Sequence, residues 1–288
     1  MTQVRQYSTR KRKGKDNDTV DDNDDERRYG EKAYWDKRYD KIQPKKHETV
    51  NNNDDEKALS PSSSSSSIDE TSEWLLSYTE LEPLLIPKLR RGPQSSVLDV
   101  GCGISHFLVD MCEKGKHTGP LVGIDISGID AAKEMNKNHK NITILNIDAR
   151  YCSKEFNVCE FDAILDKSTI DGMLCDEVNG LEHVIQMTNN IGMILKEGGV
   201  YCIVSHNNPQ VDDDSEIVVT EWLEAVIKGL LSDGRRTFRL DIHFFSNDEQ
   251  QQSSSSPSVY LFTRTRRSGR LKNEDEDALA IEMELHEH

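Results

Sequence analysis

The fold is decided by one short stretch near the middle of the chain, Val97-Leu98-Asp99-Val100-Gly101-Cys102-Gly103. The apolar run Ser96–Val100 predicts a strand, and glycines follow it directly. Residues 105–114 then carry apolar side chains at helical spacing. A strand, a glycine turn and a helix in this order are typical of the first unit of a parallel α/β sheet.

Downstream of this stretch, strand patterns and helix patterns alternate. Further strands are predicted at Leu121–Ile126, Ile142–Ile147, Phe161–Leu165 and Val200–Ser205, with helices at 129–139 and 178–195. Such alternation predicts βαβ units and a mainly parallel sheet.

The end of this region has a different pattern. After a helix near 216–230, the strands Thr237–Phe245 and Val259–Arg264 are separated by only 13 residues. A connection of this length is too short for the usual crossover helix. We therefore expect these two strands to pair antiparallel.

Two helical stretches precede the glycine turn. In residues 27–42, the side chains of Trp35, Tyr39 and Ile42 share one face at helical spacing. A second stretch around residues 74–81 places Trp74 among apolar neighbours, and Pro83 is expected to break or kink it.

The composition indicates one folded domain with polar attachments. The chain has 288 residues, a net charge of −16 and only 35% apolar residues. We predict a disordered arm over 1–26, a folded domain over 27–268 and a disordered acidic tail over 269–288. Within the domain, residues 44–70 and 246–258 are predicted to be flexible because they are rich in Ser and other polar residues.

Several classes of protein and site are excluded by the same inspection. No apolar run approaches the roughly 20 residues of a membrane span, and the N-terminus lacks the apolar region of a secretory signal. The six cysteines form no CxxC pair, so no structural metal site is expected. Free cysteines indicate a reducing compartment, so we expect a cytoplasmic location, with a nuclear one as the alternative.

The charge and the chain ends bear on partners. A net charge of −16 makes nucleic acid an unfavourable partner, because a phosphate backbone requires many Lys and Arg contacts. The basic residues of the arm and a small arginine cluster near 264–270 are exceptions. Nothing in the sequence indicates an oligomer, so a monomer is the default expectation.

Acidic residues follow the second and third strands and predict a ligand site. Asp125 ends the second strand, where a carboxylate can accept hydrogen bonds from both hydroxyls of a ribose. Asp148 ends the third strand, where a carboxylate can receive an adenine amino group. With the glycine turn at Gly101 and Gly103, these acids predict an adenosine site beyond the carboxyl ends of the strands.

The choice of adenosine cofactor follows from what surrounds the glycines. The third glycine of a dinucleotide fingerprint is replaced by His106, and no phosphate-binding GxxxxGK[ST] loop exists in the chain. Asp99 would repel a pyrophosphate but suits a cationic methionine moiety. The cofactor predicted is S-adenosyl-L-methionine.

The motifs around these strands resemble a known family. Val97–Gly103, Gly123–Ser127, Ile147–Ala149 and Phe161–Lys167 look like the successive motifs of class I, seven-strand, S-adenosylmethionine-dependent methyltransferases. The resemblance implies a doubly wound, Rossmann-like sheet of seven strands, mainly parallel, with an antiparallel seventh strand. It covers about residues 27–268.

A narrower resemblance points to one branch of the methyltransferase-like proteins. The helix Tyr34–Tyr39 is similar to that branch's YWDxRY motif, and Leu165–Leu174 is similar to its [ED]KGTLDAL segment. Ser168 stands where the branch usually has Gly. The branch includes eukaryotic protein-lysine methyltransferases, several of which act on translation elongation factor 1-alpha, so the resemblance implies a protein lysine as acceptor.

The resemblance also implies individual cofactor contacts. Trp35 and Tyr39 would close over the methionine part, with Trp74 beside them. The remaining contacts implied are Asp99, Gly101 and Gly103 at the glycine turn, Asp125 at the ribose, Ile126, Asp148 and Ala149 at the adenine, and Lys167 lining the pocket.

The acceptor side is less determined. Asp166 and Asp171 are the acids expected to orient an incoming ammonium group or relay its proton, and each could equally be a loop cap. A small-molecule or RNA methyltransferase on the same fold is the first alternative to a protein-lysine methyltransferase. A pseudo-enzyme scaffold that binds the cofactor without catalysis is the second.

Overall fold

The computed structural model describes residues 29–40, 73–211, 217–244, 256–266 and 281–287. The arm predicted over 1–26, the insertion predicted over 44–70 and residues 269–280 lie outside this part of the chain, as does most of the loop 246–258. Among the described residues, no helix is both long enough and apolar enough to cross a bilayer.

Eight strands form the main sheet. They are β1 (Val97–Val100), β2 (Leu121–Asp125), β3 (Ile142–Asn146), β4 (Phe161–Lys167), β5 (Leu195–Ser205), β8 (Thr237–Phe244), β9 (Ser258–Thr265) and β10 (Ile281–Glu287). The strand order is β10-β8-β9-β5-β4-β1-β2-β3. Because β1 lies between β2 and β4, the connection from β3 to β4 crosses over to the other half of the sheet. The order reverses at β1, which places the carboxyl ends of β1, β2 and β4 around one crevice.

Every pairing in this sheet is parallel except those of β9. This strand lies between β5 and β8 and runs antiparallel to both, with Tyr201 opposite Phe262 and Phe238 opposite Arg264. The mainly parallel, doubly wound sheet and its antiparallel strand, β9, are confirmed, but β10 adds an eighth strand to the seven that were predicted. A two-stranded ribbon, β6 (Gln210–Val211) with β7 (Ile217–Val218), follows β5 and precedes the next helix.

Helices cover both faces of the sheet. They are α1 (Lys32–Asp40), α2 (Tyr78–Leu85), α3 (Phe107–Glu113), α4 (Ile129–Asn136), α5 (Thr169–Leu174), α6 (Gly180–Ile194) and α7 (Glu221–Leu230). Alternating residues of a strand pack into two separate apolar cores, one on each face of the sheet. Leu98 and Val100 pack on the face of α6 and α7, and Val97 packs on the face of α2 and α3. Burial on both faces explains why the strands read as continuous apolar runs.

The second helix begins later than the sequence pattern predicts. It starts at Tyr78, because Ser77 is the N-cap residue and its backbone N–H donates to the Glu80 carboxylate at 2.8 Å. Trp74 therefore lies before the helix. Pro83 lies inside α2 and does not break it, contrary to the expectation of a break; the chain continues into a 3₁₀ turn at Ile86–Lys88.

The C-terminal segment differs most from the expectation. Residues Ile281–Glu287, predicted as part of a disordered acidic tail, form β10 and pair parallel with β8 at the edge of the sheet. The segment alternates apolar and acidic residues, and Ile281, Met283 and Leu285 pack against the core. The acidic composition of this segment predicted disorder, but its acidic residues alternate with apolar residues whose side chains pack against the core.

Candidate functional site

A cavity of about 600 Å³ opens beyond the carboxyl ends of β1 to β4. Its wall is formed by the turns that follow these four strands, by α1 and by the segment around Trp74. The sequence predicted the site at this place. All eleven cofactor residues predicted from the sequence line the cavity: Trp35, Tyr39, Trp74, Asp99, Gly101, Gly103, Asp125, Ile126, Asp148, Ala149 and Lys167.

The backbone conformation of the turn after β1 requires glycine at two positions. Gly101 and Gly103 have φ values of +67° and +50°, in the left-handed region that disfavours other residues. A side chain at Gly101 would collide with Thr169, and one at Gly103 would collide with the Tyr39 hydroxyl. The absent Cβ atoms therefore also admit neighbouring protein side chains, a role that the sequence did not indicate.

Asp99 presents a buried acceptor to the cavity. The residue is 1% exposed, and its Oδ2 atom has no hydrogen-bond partner among the described residues. Burial raises the pKa of Asp99 well above its ordinary value, and the nearby Asp166 and Asp125 carboxylates raise it further. An orphaned carboxyl oxygen at this wall suits a cationic ligand group, which fits the aminoacyl end of S-adenosylmethionine.

Asp125 is held in place by the backbone around it. Its Oδ2 accepts from Gly103 N and its Oδ1 accepts from Ser127 N, both at 2.9 Å. Burial raises the pKa of this carboxyl, although the backbone N–H groups oppose the shift. The turns after β1 and β2 thus fix one carboxylate between them at the cavity wall.

Asp148 lines the cavity but already has a strong partner. The Arg150 side chain donates to both carboxylate oxygens, with the shortest contact 2.6 Å from Nη2 to Oδ2. Burial would raise the pKa of Asp148, but the hydrogen bonds from Arg150 outweigh it and hold the pKa below its ordinary value. Arg150 also contacts His183 Nε2 at 3.0 Å, so a small polar cluster occupies this end of the cavity.

An aromatic wall closes the opposite side. The Trp35 and Tyr39 rings stack with centroids 5.8 Å apart, and Trp74 meets Trp35 edge-on at 6.2 Å. The Arg38 guanidinium lies 5.4 Å from the Trp74 ring centroid. Tyr39 packs against the backbone of Gly128, so α1 reaches across to the turn after β2.

Lys167 does not present a free ammonium group to the cavity. It forms a buried ion pair with Glu73, whose side chain is 17% exposed against 5% for the lysine. Burial lowers the pKa of Lys167 from its ordinary value. Glu73 was not singled out by the sequence, because nothing near it in the chain indicates a partner 94 positions away.

The structure does not bring Asp166 to the cavity wall. The residue is fully buried; its Oδ1 accepts from Thr169 N at 2.9 Å and its Oδ2 accepts from Tyr201 Oη at 3.0 Å. Burial raises its pKa to about 7. Asp166 therefore holds the turn into α5, which is the loop-cap role that the sequence left open.

Asp171, by contrast, lines the cavity. Its oxygens accept hydrogen bonds from Ser205 Oγ at 2.5 Å, Asn207 Nδ2 at 2.9 Å and Ser168 Oγ at 2.8 Å. The N–H of His206 donates to it as well, at 3.2 Å. The carboxylate is thus fixed between the ends of β4 and β5.

Ser168 explains a departure from the family pattern. It has a φ of +65°, in the left-handed region, at the position where the related branch usually has Gly. Its hydroxyl donates to Asp171, a contact that glycine could not make.

Further residues of the cavity escaped the sequence reasoning. None of them was assigned a role from the sequence: Tyr29, Arg38, Ser105, Arg150, Thr169, Cys175 and His183. Only Arg150 had a usable signal, since it follows the predicted base-reading pair directly.

A separate polar cluster lies at the β8–β10 edge. Asp241, Glu284 and His286 come close enough to share an ion. However, the Asp241 oxygens already accept from Lys88 Nζ at 2.8 Å and Arg239 Nε at 2.9 Å. This cluster is therefore an ion-pair network at the edge of the sheet.

The doubly wound sheet, the crevice at its reversal point and the acids at three strand ends define an α/β domain whose cavity suits an adenosine cofactor. A family model described as a methyltransferase domain matches residues 92–251, and the chain belongs to this family. Residues 92–251 therefore form a methyltransferase domain.

Curated relatives are similar over part of the chain. Over 137 residues, which are 46% of this chain and 19% of the relative, it is 34% identical to the eEF1A lysine and N-terminal methyltransferase of Bos taurus. Over 159 residues, 49% of this chain and 65% of the relative, it is 26% identical to the mitochondrial citrate synthase-lysine N-methyltransferase of Homo sapiens. The chain thus spans about a fifth of the length of the first of these relatives.

Solved structures are similar at lower identity. The N-methyltransferase NodS from Bradyrhizobium japonicum WM9, in complex with S-adenosyl-l-homocysteine, has 20% identity and a TM-score of 0.43, over 65% of this chain and 85% of that one. A SAM dependent methyltransferase from Archaeoglobus fulgidus has 16% identity and a TM-score of 0.45, over 65% and 92%.

Proposed function

We propose that the methyl acceptor is the side-chain amine of a lysine in a protein. The observation that carries the proposal is one cavity that combines three aromatic rings with a fixed carboxylate, Asp171. Aromatic faces and a carboxylate together attract an ammonium group, since both present negative potential to a cation.

The aromatic part of this acceptor site is built from Tyr29, Trp35 and Trp74. Their rings are in mutual contact, with centroids 5.8 to 6.3 Å apart, and all three line the cavity. The butyl stem of a lysine would pack against these rings, because long basic side chains bury their carbon chain along apolar surface.

Asp171 acts on the acceptor by charge rather than as a base. A carboxylate has about four acceptor positions, and four donors of the protein contact it: two serine hydroxyls, one asparagine amide and one backbone N–H. The residue thus orients the incoming ammonium, and the proton passes to water before transfer. A free lysine has a pKa of about 10.4, so the site must favour the neutral amine.

S-adenosylmethionine supplies an electrophilic methyl group on a sulfonium centre. The protein contributes alignment, which in well-oriented pairs is worth on the order of 7–11 kcal/mol. For cofactor binding we propose that Asp99 faces the cationic methionine end, Asp125 the ribose hydroxyls, and Ile126 and Ala149 the adenine. Trp35, Tyr39 and Trp74 would cover the methionine part, with the Gly101–Gly103 turn beneath it.

At Asp148, an adenine amino group would compete with Arg150 for the carboxylate. The arginine contacts both of the carboxylate oxygens. The relatives support the acceptor class, since they are named as lysine methyltransferases of eEF1A and of citrate synthase. A translation elongation factor is accordingly the first substrate to test.

The test is transfer of labelled methyl groups to defined acceptors. Purified eEF1A, purified citrate synthase and total RNA are each incubated with the enzyme and S-adenosylmethionine carrying a labelled methyl. Label on a protein, mapped by peptide mass spectrometry to a lysine side chain, is the expected result. The Asp125→Ala variant serves as the negative control.

Other outcomes separate the alternatives. Label in nuclease-sensitive material or in small molecules would overturn the protein acceptor while keeping the methyltransferase. Label on an N-terminal amine alone would overturn the lysine assignment. Cofactor binding with no transfer to protein, RNA or small-molecule fractions of a cell extract would point to a scaffold.

A further inference from the structure

We infer that Glu73 and Lys167 form a positioning ion pair that holds Trp74 over the cavity and thereby sets the affinity for the cofactor. Neither side chain is assigned to the reacting atoms. The inference rests on the proposed contact between Trp74 and the cofactor, and it assigns to Lys167 a task different from direct cofactor binding.

The first support is how one short turn wraps around the lysine. Lys167, the last residue of β4, pairs with the Glu73 carboxylate and donates to Leu76 O at 3.4 Å. Glu73 and Leu76 flank Trp74 in the chain. The ammonium group therefore contacts the segment on both sides of the tryptophan.

The second support is the other end of Glu73. Its carboxylate accepts from Ser105 Oγ at 2.8 Å and from His106 N at 3.1 Å, at the entry to α3. Lys167 Nζ also lies 3.3 Å from Ser105 Oγ. Three parts of the fold meet here: the end of β4, the turn after β1 and the segment that carries Trp74.

The third support is the backbone of the turn. Leu75 has a φ of +65°, a left-handed conformation that costs a non-glycine residue free energy. Such a conformation persists only where surrounding contacts enforce it. Contacts that could enforce this one are the ion pair at Glu73 and the buried Leu76 that follows.

These contacts determine the position of the Trp74 ring. From this turn the ring reaches Trp35 and Tyr29, and the Arg38 guanidinium lies over it at 5.4 Å. Burying an ion pair gains little stability over an apolar pair of similar shape. Its value here is therefore positional, because the pair determines where the aromatic wall stands relative to β4.

The experiment compares Glu73→Gln, Lys167→Met and the double variant by calorimetric titration with S-adenosylhomocysteine and by thermal melting. We expect each single change to weaken binding about tenfold or more, and the double variant to be about as weak as the worse single one, since both changes remove the same contact. The double variant leaves no buried charge unpaired, so it keeps the test interpretable if a single variant unfolds.

A matched control separates position from stability. Lys88→Met removes the cation of a half-buried ion pair with Asp241, toward the far edge of the sheet. We expect a lower melting temperature and unchanged affinity for S-adenosylhomocysteine in that variant.

The route through Trp74 is tested in a second background. When Trp74 is first changed to Ala, Glu73→Gln is expected to cause little further loss of affinity. An equal loss in both backgrounds, or a folded double variant that binds like the parent, would overturn the inference. If the parent itself does not bind S-adenosylhomocysteine, the proposed cofactor contacts fail instead.

Discussion

Carboxylates at neighbouring strand ends have different tasks because their surroundings differ. Asp99 is buried with an unpartnered oxygen, whereas Asp125 is fixed by backbone N–H groups at the cavity wall. Asp148 is neutralised by Arg150, and Asp166 caps a turn away from the cavity. Burial and hydrogen bonding at each site, rather than residue type, decide which acid is available to a ligand.

Asp125→Ala is expected to abolish cofactor binding. The change removes the acceptor proposed for the ribose hydroxyls and frees the Gly103 N–H that shapes the glycine turn. We expect affinity for S-adenosylmethionine to fall at least 100-fold, roughly the loss of two hydrogen bonds to a charged group, measured by calorimetry. Asp130→Ala, an exposed acid on α4, is the control, and equal affinity of both variants would refute the assignment.

Asp166→Asn is expected to stabilise the protein progressively as the pH rises. Unfolded aspartate has a pKa of about 3.9, and burial raises the pKa of folded Asp166 to about 7. Between these values the folded state binds a proton that the unfolded state does not, so the parent loses stability with rising pH. An asparagine can still accept from Thr169 N and donate to Tyr201, without the cost of ionisation.

The measurement is the free energy of unfolding by denaturant at pH 5.5 and pH 8. The difference between variant and parent should grow between these values, on the order of a kcal/mol or more. Asp162→Asn is the contrasting variant. Burial would raise the pKa of Asp162, but hydrogen bonds from Ser96 and Lys196 lower it, so its contribution is constant over this range. A pH-independent effect of Asp166→Asn would contradict the prediction.

Among the elements, α1 contributes to the site without contributing to the core. None of its residues is fully buried, yet Trp35, Arg38 and Tyr39 line the cavity. Asp36 accepts a hydrogen bond from Ser127 Oγ at 2.5 Å, which ties the helix to the turn after β2. The helix therefore lies over the cavity and is held there by side-chain contacts.

Tyr39→Ala is expected to weaken cofactor binding about tenfold with little change in melting temperature. The ring packs on Gly128 and its hydroxyl lies beside Gly103, so its loss opens the cavity wall without emptying the core. Calorimetry and thermal melting check the two parts of the prediction. Lys37→Ala, an exposed change on the same helix outside the cavity wall, should leave the affinity unchanged; a similar loss in both variants would contradict a specific role for Tyr39.

At the scale of the whole molecule, the acidic charge is unevenly placed. Residues 16–26 and 273–288 each carry seven acids and no Lys or Arg. Part of the second tract is β10, which covers β8 at the edge of the sheet. Charged residues on an edge strand also discourage pairing with other molecules, which suits a strand with an open side.

Removal of residues 281–288 is expected to destabilise the sheet without disabling the site. The truncation exposes the apolar surface that Ile281, Met283 and Leu285 cover, and burying one such side chain contributes about 1.5–3 kcal/mol. We expect a lower melting temperature and an unchanged affinity for S-adenosylmethionine, because the cavity lies at β1 to β4. A truncated protein as stable as the parent would contradict the packing role of β10.

Much of the fold was predictable because strand and helix periods are local properties. The runs at Val97–Val100 and Phe161–Lys167 are recognisable from burial on both faces, and the short connection before β9 predicted its direction. The start of α2 was misplaced although Ser77 and Glu80 carry a capping signature. β10 was missed because composition was weighed over the alternation of its residues.

The sequence by itself determined the order of the parallel sheet units, the glycine turn and the acids at the strand ends, since each depends on short-range pattern. Only the tertiary structure decided which side chains share the cavity. Glu73 meets Lys167 across 94 positions of the chain, and Ser205 and Asn207 donate to Asp171 from the end of another strand. Hydrogen-bond capacity and burial are properties of the assembled neighbourhood, and they separated Asp171 at the wall from Asp166 beneath it.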